Sequence, residues 1–284
     1  MCRLLEVSRS GYYASCNRPK STSVVRRDIF LKAAREIFEK NKGIPGYRKI
    51  HRQLKNVGYK YSRESVRKLC QRAGIRSRVQ QRRYRPKTTD SNHRNKVNDN
   101  ILNRDFKASR PNEKWLTDIT YIETAEGFVY LSGIIDMYSR RIVGWNIETH
   151  LRAELVMETL RRAIQTRGQL PDTLLFHSDR GVQYTANEFR TSLKLLGIDQ
   201  SMSGKGECWD NAPCESFWGK LKTEWMNLHS KYKNIDEARL SIFEYIEEYY
   251  YNHRLHQGLD YKTPREMEED YYFGQNELQP STVN

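Results

Sequence analysis

A chain of 284 residues has room for one large domain or two modest ones, and its 37% hydrophobic content is low but sufficient for a core. No stretch approaches the eighteen apolar residues of a membrane helix, the opening MCRLLEVSRSGYYASC lacks the apolar centre of a signal peptide, and Cys2, Cys16, Cys70, Cys208 and Cys214 include no C-x-x-C pair. A membrane protein, a disulfide scaffold and a zinc ribbon are thereby disfavoured, and a soluble cytoplasmic protein with reduced thiols is expected.

The net charge of +14 is unevenly spread. Residues 1–104 carry 28 Lys and Arg against 7 Asp and Glu, net +21, while residues 105–284 carry 21 against 28, net −7. A basic block of this size points to a polyanion, and nucleic acid is the commonest one inside cells.

In chain order, Val25, Ile29, Phe30, Ala33, Ile37 and Phe38 recur at helical intervals and predict a helix from about Val24 to Lys40, ended by NKGIPG. A second helix turns Ile50 and Leu54 inward and Arg48, Lys49, Arg52 and Lys55 outward. Ser62 can cap a third, SRESVRKLCQRAG, with Val66, Leu69, Cys70 and Ala73 buried and Arg63, Arg67, Lys68, Gln71 and Arg72 left outward. Two short helices joined by a turn match a helix-turn-helix, whose second helix reads the major groove. The alternative is a basic bundle that touches only phosphates or protein. Arg76 to Asn100 has almost no apolar periodicity and reads as a linker able to follow a phosphate backbone.

KWLTDITYIE predicts a strand, AEG a turn, and FVYLSGIIDMYSRRIVGWNIET two further strands divided at MYSRR. A helix over about Arg152 to Arg167, the short strand TLLFHSD, a helix containing Phe189, Leu193 and Leu196, a strand at Ile198 and the helix of WDNAPCESFWGKLKTEW come next. This order gives an α/β sheet with helices packed on its faces. In the last helix Phe217, Leu221, Trp225 and Leu228, with Cys214 and Trp218 beside them, form the stripe for burial, while Glu215, Gly219 and Lys222 share another face.

Asp118 is out of place on propensity inside a strand, and Asp179 comes at the end of one, where α/β sheets gather their ligands. Singly, each acid, like Glu215 at a helix start, reads as an ordinary solvated or capping carboxylate. Together they form a set that would repel itself without a divalent cation, and magnesium suits all-oxygen ligation.

WLTDITYI, HSDRGVQY and DNAPCESFWGKLKTEW, with 35 residues between Asp179 and Glu215, closely resemble the catalytic core of DDE transposases and retroviral-type integrases. VSRSGYYAS, GYRKIHRQL, SRESVRKL and YYNHRLHQGLDYKTPREM are similar to the second-reading-frame product of insertion-sequence-three elements, so the resemblance covers nearly the whole chain. It implies a ribonuclease H-like core behind an N-terminal helix-turn-helix, with Asp118, Asp179 and Glu215 as catalytic metal ligands. It also implies two Mg²⁺ ions, Mn²⁺ as a possible substitute, and cutting and joining of element ends. The implied partners are double-stranded DNA (terminal repeats and target), further copies of the chain, and possibly the upstream reading-frame product, in a bacterial cytoplasm at the nucleoid.

The resulting division is a helix-turn-helix region over 1–78, a basic linker over 79–108, the catalytic core with its C-terminal helix over 109–270, and a tail over 271–284. Lys222 resembles the basic residue that meets terminal DNA, against an ordinary surface lysine. His177 and Asn211 are candidates to support the acids from behind, against a satisfied strand-end histidine at 177. His253 and His256 have H-x-x-H spacing in a Tyr-rich helix without a third ligand, and read as packing or DNA contact. SGKGE is expected to be a mobile Gly-rich loop, not a P-loop. Two rival functions stand beside transposition: a catalytically silent DNA-binding regulator and a structure-specific nuclease.

Overall fold

The computed structural model describes residues 8–19, 21–79, 97–228 and 231–277, and the chain divides into two units, Met1–Ser77 and Arg78–Asn284. Among the described residues no helix is long and apolar enough to cross a membrane.

The first unit is helical. α1 (Arg9–Asn17), absent from the sequence expectation, starts at Ser8, whose hydroxyl accepts the Gly11 N–H at 3.0 Å. α2 (Thr22–Lys40), α3 (Tyr47–Asn56) and α4 (Arg63–Arg72) enclose Phe30, Ala34, Ile50, Leu54, Val66, Cys70 and Ile75. The buried stripe of α2 is narrower than its apolar periodicity suggested, since Val25 and Ile29 are exposed. Ser62 caps α4 through the Ser65 N–H at 3.1 Å, and Gly58 and Gly74 come after α3 and α4 with φ of +93° and +71°, which favours a residue without Cβ.

The second unit is built on one sheet of order β3-β2-β1-β4-β5. β1 (Lys114–Thr124), β2 (Gly127–Asp136) and β3 (Ile142–Glu148) form an antiparallel meander, and β4 (Leu175–Ser178) and β5 (Asp199–Met202) continue it in parallel. α5 (Ala153–Arg167) crosses β3 so closely that a Cβ on Gly144 would lie 2.5 Å from the Thr159 carbonyl oxygen. Trp115, Ile134, Val143, Leu160, Ala163, Phe176 and Phe189 fill the space beneath it, together with the one-turn α6 (Val182–Thr185) and α7 (Asn187–Leu195). α8 (Ala212–Glu224) rests on the other face, where Gly133 meets the Trp218 ring, because neighbouring residues of a strand point to opposite sides.

α8 stops at Glu224 and gives way to a 3₁₀ turn, Met226–Leu228, so Leu228 does not continue the helical stripe. α9 (Ile235–Phe243) runs on as a π-helix, Glu244–Tyr250, whose Tyr245 and Tyr250 both pack against Phe217 while Tyr249 stacks on Trp225. The Tyr-rich stretch therefore packs, and Arg254 closes it by a bidentate bond to Glu224 at 2.6 Å to each oxygen. α10 (Pro264–Glu277) extends into the segment expected to be tail, and its Glu268 joins Arg141, Arg167 and Ser139.

Of the linker expected over 79–108, residues 80–96 lie outside the described residues. From Asn98 onward the chain is fastened to the second unit. Asn98 donates to Gln200, the Leu102 N–H to Ser201, and Arg104 to both Asp210 and Glu207. Leu102 is buried.

Candidate active site

β1 pairs with β4 only as far as Leu116 opposite His177. Carried two residues further, the same register sets Asp118 level with Asp179 just where the strands part. β1 leads into a hairpin on one side, while β4 lies on the other, so the acids stand at the reversal of strand order, beyond the carboxyl end of β4. Glu215 comes from the first turn of α8, exposed, where a carboxylate also suits the helix dipole.

Three local devices hold this arrangement. Asn211 at the N-cap of α8 donates to the Thr117 carbonyl at 2.8 Å, which ties the start of the helix to the residue before Asp118. Asp210, buried beside it, accepts from Gly204 N–H at 2.8 Å, Asn100 at 2.8 Å and Arg104 at 2.6 Å. With Arg104 also on Glu207 and Arg180 on the Ser203 carbonyl, the Gly-rich loop SGKGE is pinned from several sides. Third, Asp118 receives the Ile119 N–H at 2.8 Å on Oδ1 and the Trp218 indole N–H at 3.1 Å on Oδ2, and Asp179 receives the Gly181 N–H at 2.9 Å.

The acids act on one another. Burial lifts the Asp118 carboxyl well above the ordinary carboxylate range, the charges of Asp179 and Glu215 push the same way, and the N–H groups of Ile119 and Trp218 oppose them. Burial and the Asp118 charge likewise keep the Cys214 thiol protonated. His177 is held by Ser201 at 2.9 Å and Ser203 at 3.1 Å, and burial lowers it to about 4, so it is neutral. Its two ring nitrogens thus meet serines on and just beyond β5, and it also interacts with Asp210 at the start of α8. The side chains near the notch thus offer hard oxygen donors. Among the described residues, no three acidic, histidine or cysteine side chains are gathered closely enough to hold a metal ion by themselves.

The comparisons with known proteins bear on this arrangement. Residues 108–208 and 196–264 match Integrase core domain families, and residues 26–84 match an HTH-like domain. The chain is 38% identical over 279 residues to the insertion element IS600 uncharacterized 31 kDa protein of Shigella sonnei, covering 96% of this chain and 98% of that one. It is 34% identical over 272 residues to the transposase InsF for insertion sequence IS3A of Escherichia coli (strain K12), covering 94% and 92%. The chain belongs to the IS3 family of transposases. Among solved structures, the HTLV-2 integrase catalytic core domain in complex with magnesium shares 16% identity at a TM-score of 0.45, over 57% of this chain and 99% of that one.

The transposase is accordingly a polynucleotidyl transferase with an integrase core and a DNA-binding helix-turn-helix. On α4, Arg63, Lys68, Gln71 and Arg72 are exposed, but Arg67 folds back on Glu64 at 2.6 and 2.9 Å and is not left free as its position suggested. On α3 Arg48 is exposed, and Lys49 and Arg52 are half-buried. Lys222 does not point away into solvent. Its ammonium lies 4.8 Å from the centre of the Tyr121 ring and within the field of Asp118, and burial lowers its pKa. The structure sets Trp218, Gly133, Asp210 and Arg104 beside the acids, a place the sequence did not assign to them. Gly133, alone in a strand interior, carried a readable signal of close approach; Arg104 and Asp210 are 106 positions apart and carried none.

Proposed function

We propose that the transposase cuts at the ends of its element and joins the freed 3′-hydroxyl to target DNA at a magnesium site made by Asp118, Asp179 and Glu215. The observation that carries this reading is the approach of three carboxylates from β1, the end of β4 and the first turn of α8, with Asp179 and Glu215 both within the field of Asp118. The donor set fits the ion in its chemistry: all three are hard oxygen ligands, and the thiol beside them is protonated. Bound there as a pair, magnesium, or manganese in its place, would activate the attacking oxygen and stabilise the leaving 3′-oxygen.

The chain's own residues do the rest. Asn211 and Asp210 hold the start of α8, so Glu215 is presented toward β1 without reorganisation. Lys222, laid along Tyr121 beside Asp118, is the cation for a phosphate next to the one being cut. Attack is in line, first by water at the element end and then by the 3′-hydroxyl on a second strand. Arg63, Lys68, Gln71 and Arg72 of α4, with Arg48, Lys49 and Arg52 of α3, supply contacts to the terminal repeats, and Arg67 joins them when Glu64 releases it. Further copies of the chain, and the upstream reading-frame product, complete the assembly on DNA at the nucleoid.

The test incubates the purified chain with labelled element ends, Mg²⁺ and a target duplex. Strand-transfer products are expected. Cutting without joining would make the protein a nuclease, and end binding with neither would make it a regulator.

A further inference from the structure

Asp118 and Gly133 are direct cross-strand partners on β1 and β2, so a side chain at 133 would stand on the same face of the sheet as the Asp118 carboxylate. There is none, and the Trp218 ring occupies the space. A Cβ built on Gly133 would lie 2.9 Å from Cη2 of that ring and 3.4 Å from Cζ2, closer than a rigid aromatic can accept. The ring is also braced from behind by Phe217, edge to face at 4.8 Å between centroids, and it is buried. Seated this way, it delivers its one polar atom to Asp118: the indole N–H meets Oδ2 at 3.1 Å, while the Ile119 N–H meets Oδ1 at 2.8 Å. Each carboxylate oxygen still has a second lone pair. The two N–H groups therefore fix the plane of the carboxylate and leave it able to bind.

We propose that Trp218 is a positioning residue for Asp118, with Gly133 kept bare to seat it. The indole contributes to the site by orienting an acid and not by touching DNA. This inference rests on the reading of Asp118 as a ligand for a divalent cation, and the comparison with Asp118→Asn separates the two. Orienting partners of metal ligands act through affinity, and their loss weakens it by roughly 10- to 100-fold.

The experiment uses the full chain without DNA and follows free Mn²⁺ by its paramagnetic resonance signal as protein is titrated in, with melting temperature recorded for each variant. Trp218→Phe keeps an aromatic ring and loses the N–H, and is expected to weaken Mn²⁺ binding by roughly 10-fold or more. Its joining activity should recover at high Mg²⁺, a shift in the metal requirement that a merely structural role would not produce. Gly133→Ala pushes against the indole and should lower both melting temperature and Mn²⁺ affinity. The double variant Gly133→Ala with Trp218→Phe removes the outer part of the indole that the new methyl would strike, and should melt close to Trp218→Phe while its Mn²⁺ binding stays weak. Wild-type Mn²⁺ affinity in Trp218→Phe, with affinity lost in Asp118→Asn, would overturn the role of Trp218 and leave the site reading standing. Wild-type affinity in Asp118→Asn would overturn both.

Discussion

At the end of β2, Asp136 is completely buried, yet it accepts N–H bonds from Asn112 and Tyr138 at 2.8 Å each and an ion pair from Arg167 at 3.0 Å. In the middle of β1, Asp118 is less enclosed, and the charges set around it include two other carboxylates. Glu268 and Glu224 are paired in the same way: burial keeps Asp136 above its ordinary value despite Arg167, whereas Arg167 and Arg141 bring Glu268 below its own, and Arg254 grips Glu224 with both arms of its guanidinium. An acid matched to arginine holds elements together, whereas acids gathered against one another repel, and on the proposed reading a divalent cation would relieve that repulsion. Burial alone does not separate these cases; the sign of the neighbours does.

The most severe test exchanges charge for amide in the unmatched set. Asp118→Asn, Asp179→Asn and Glu215→Gln should each abolish cutting and joining while DNA binding persists, and Asp118→Asn should melt no lower than the parent because it relieves repulsion. Strand-transfer assays and melting curves on the same preparations decide it. Near wild-type joining in any one of them would remove that residue from the site.

The matched set should fail in the opposite manner. Arg254→Ala leaves Glu224 buried without its partner and should cost about 3–5 kcal/mol of stability in urea unfolding, and replacing both residues by apolar ones should recover much of it. If Arg254→Ala melted normally and lost only activity, the comparison would break. Asp210 extends the matched set across a long stretch of sequence. A chain beginning at Val97 should fold, whereas one beginning at Asp105 lacks the Arg104 bonds and the buried Leu102, whose loss alone should cost about 2–4 kcal/mol.

Two lysines on α8 sharpen the contrast further. Lys222→Glu adds an acid to the unmatched set and should reduce joining and end binding by about 10-fold with little change in folding, through loss of a phosphate contact that also flattens the salt dependence. Lys222→Arg should keep much of the activity. Lys220 lies on the matched side, and burial, aided by the like charge of Arg254, lowers it to about 8 from 10.5. Lys220→Met should therefore stabilise the chain by about 1–2 kcal/mol at neutral pH. Between pH 8 and 10 the unfolded chain binds more protons at this position than the folded one, so wild-type stability rises relative to Lys220→Met and the difference narrows. A difference independent of pH would assign the gain to packing.

The strands of the core were legible because alternation in KWLTDITYIE and the turn at AEG act locally, and the acids stood out as carboxylates against an apolar background. The one-turn α6, the arrest of α8 at Glu224 and the fastening of residues 97–104 were not, since each depends on partners remote in sequence. Cys214 next to Glu215 and His177 near Asp179 show the limit from the other side. Both residue types suit chemistry, but one is a protonated buried thiol and the other is bound by two serines, and neither state is visible without neighbours.

The π-helix Glu244–Tyr250 has a consequence for how this chain can tolerate changes in length. Its wider turn lets Tyr245 and Tyr250, five positions apart, face the same Phe217 ring. Deleting one residue between them would remove the residue that the wider turn accommodates and break the five-position spacing by which both rings reach Phe217. A single-residue deletion, which a surface loop absorbs, would here misalign an aromatic seam, whereas substitutions that preserve the rings at 245 and 250 would pass. This helix records its length more strictly than its composition.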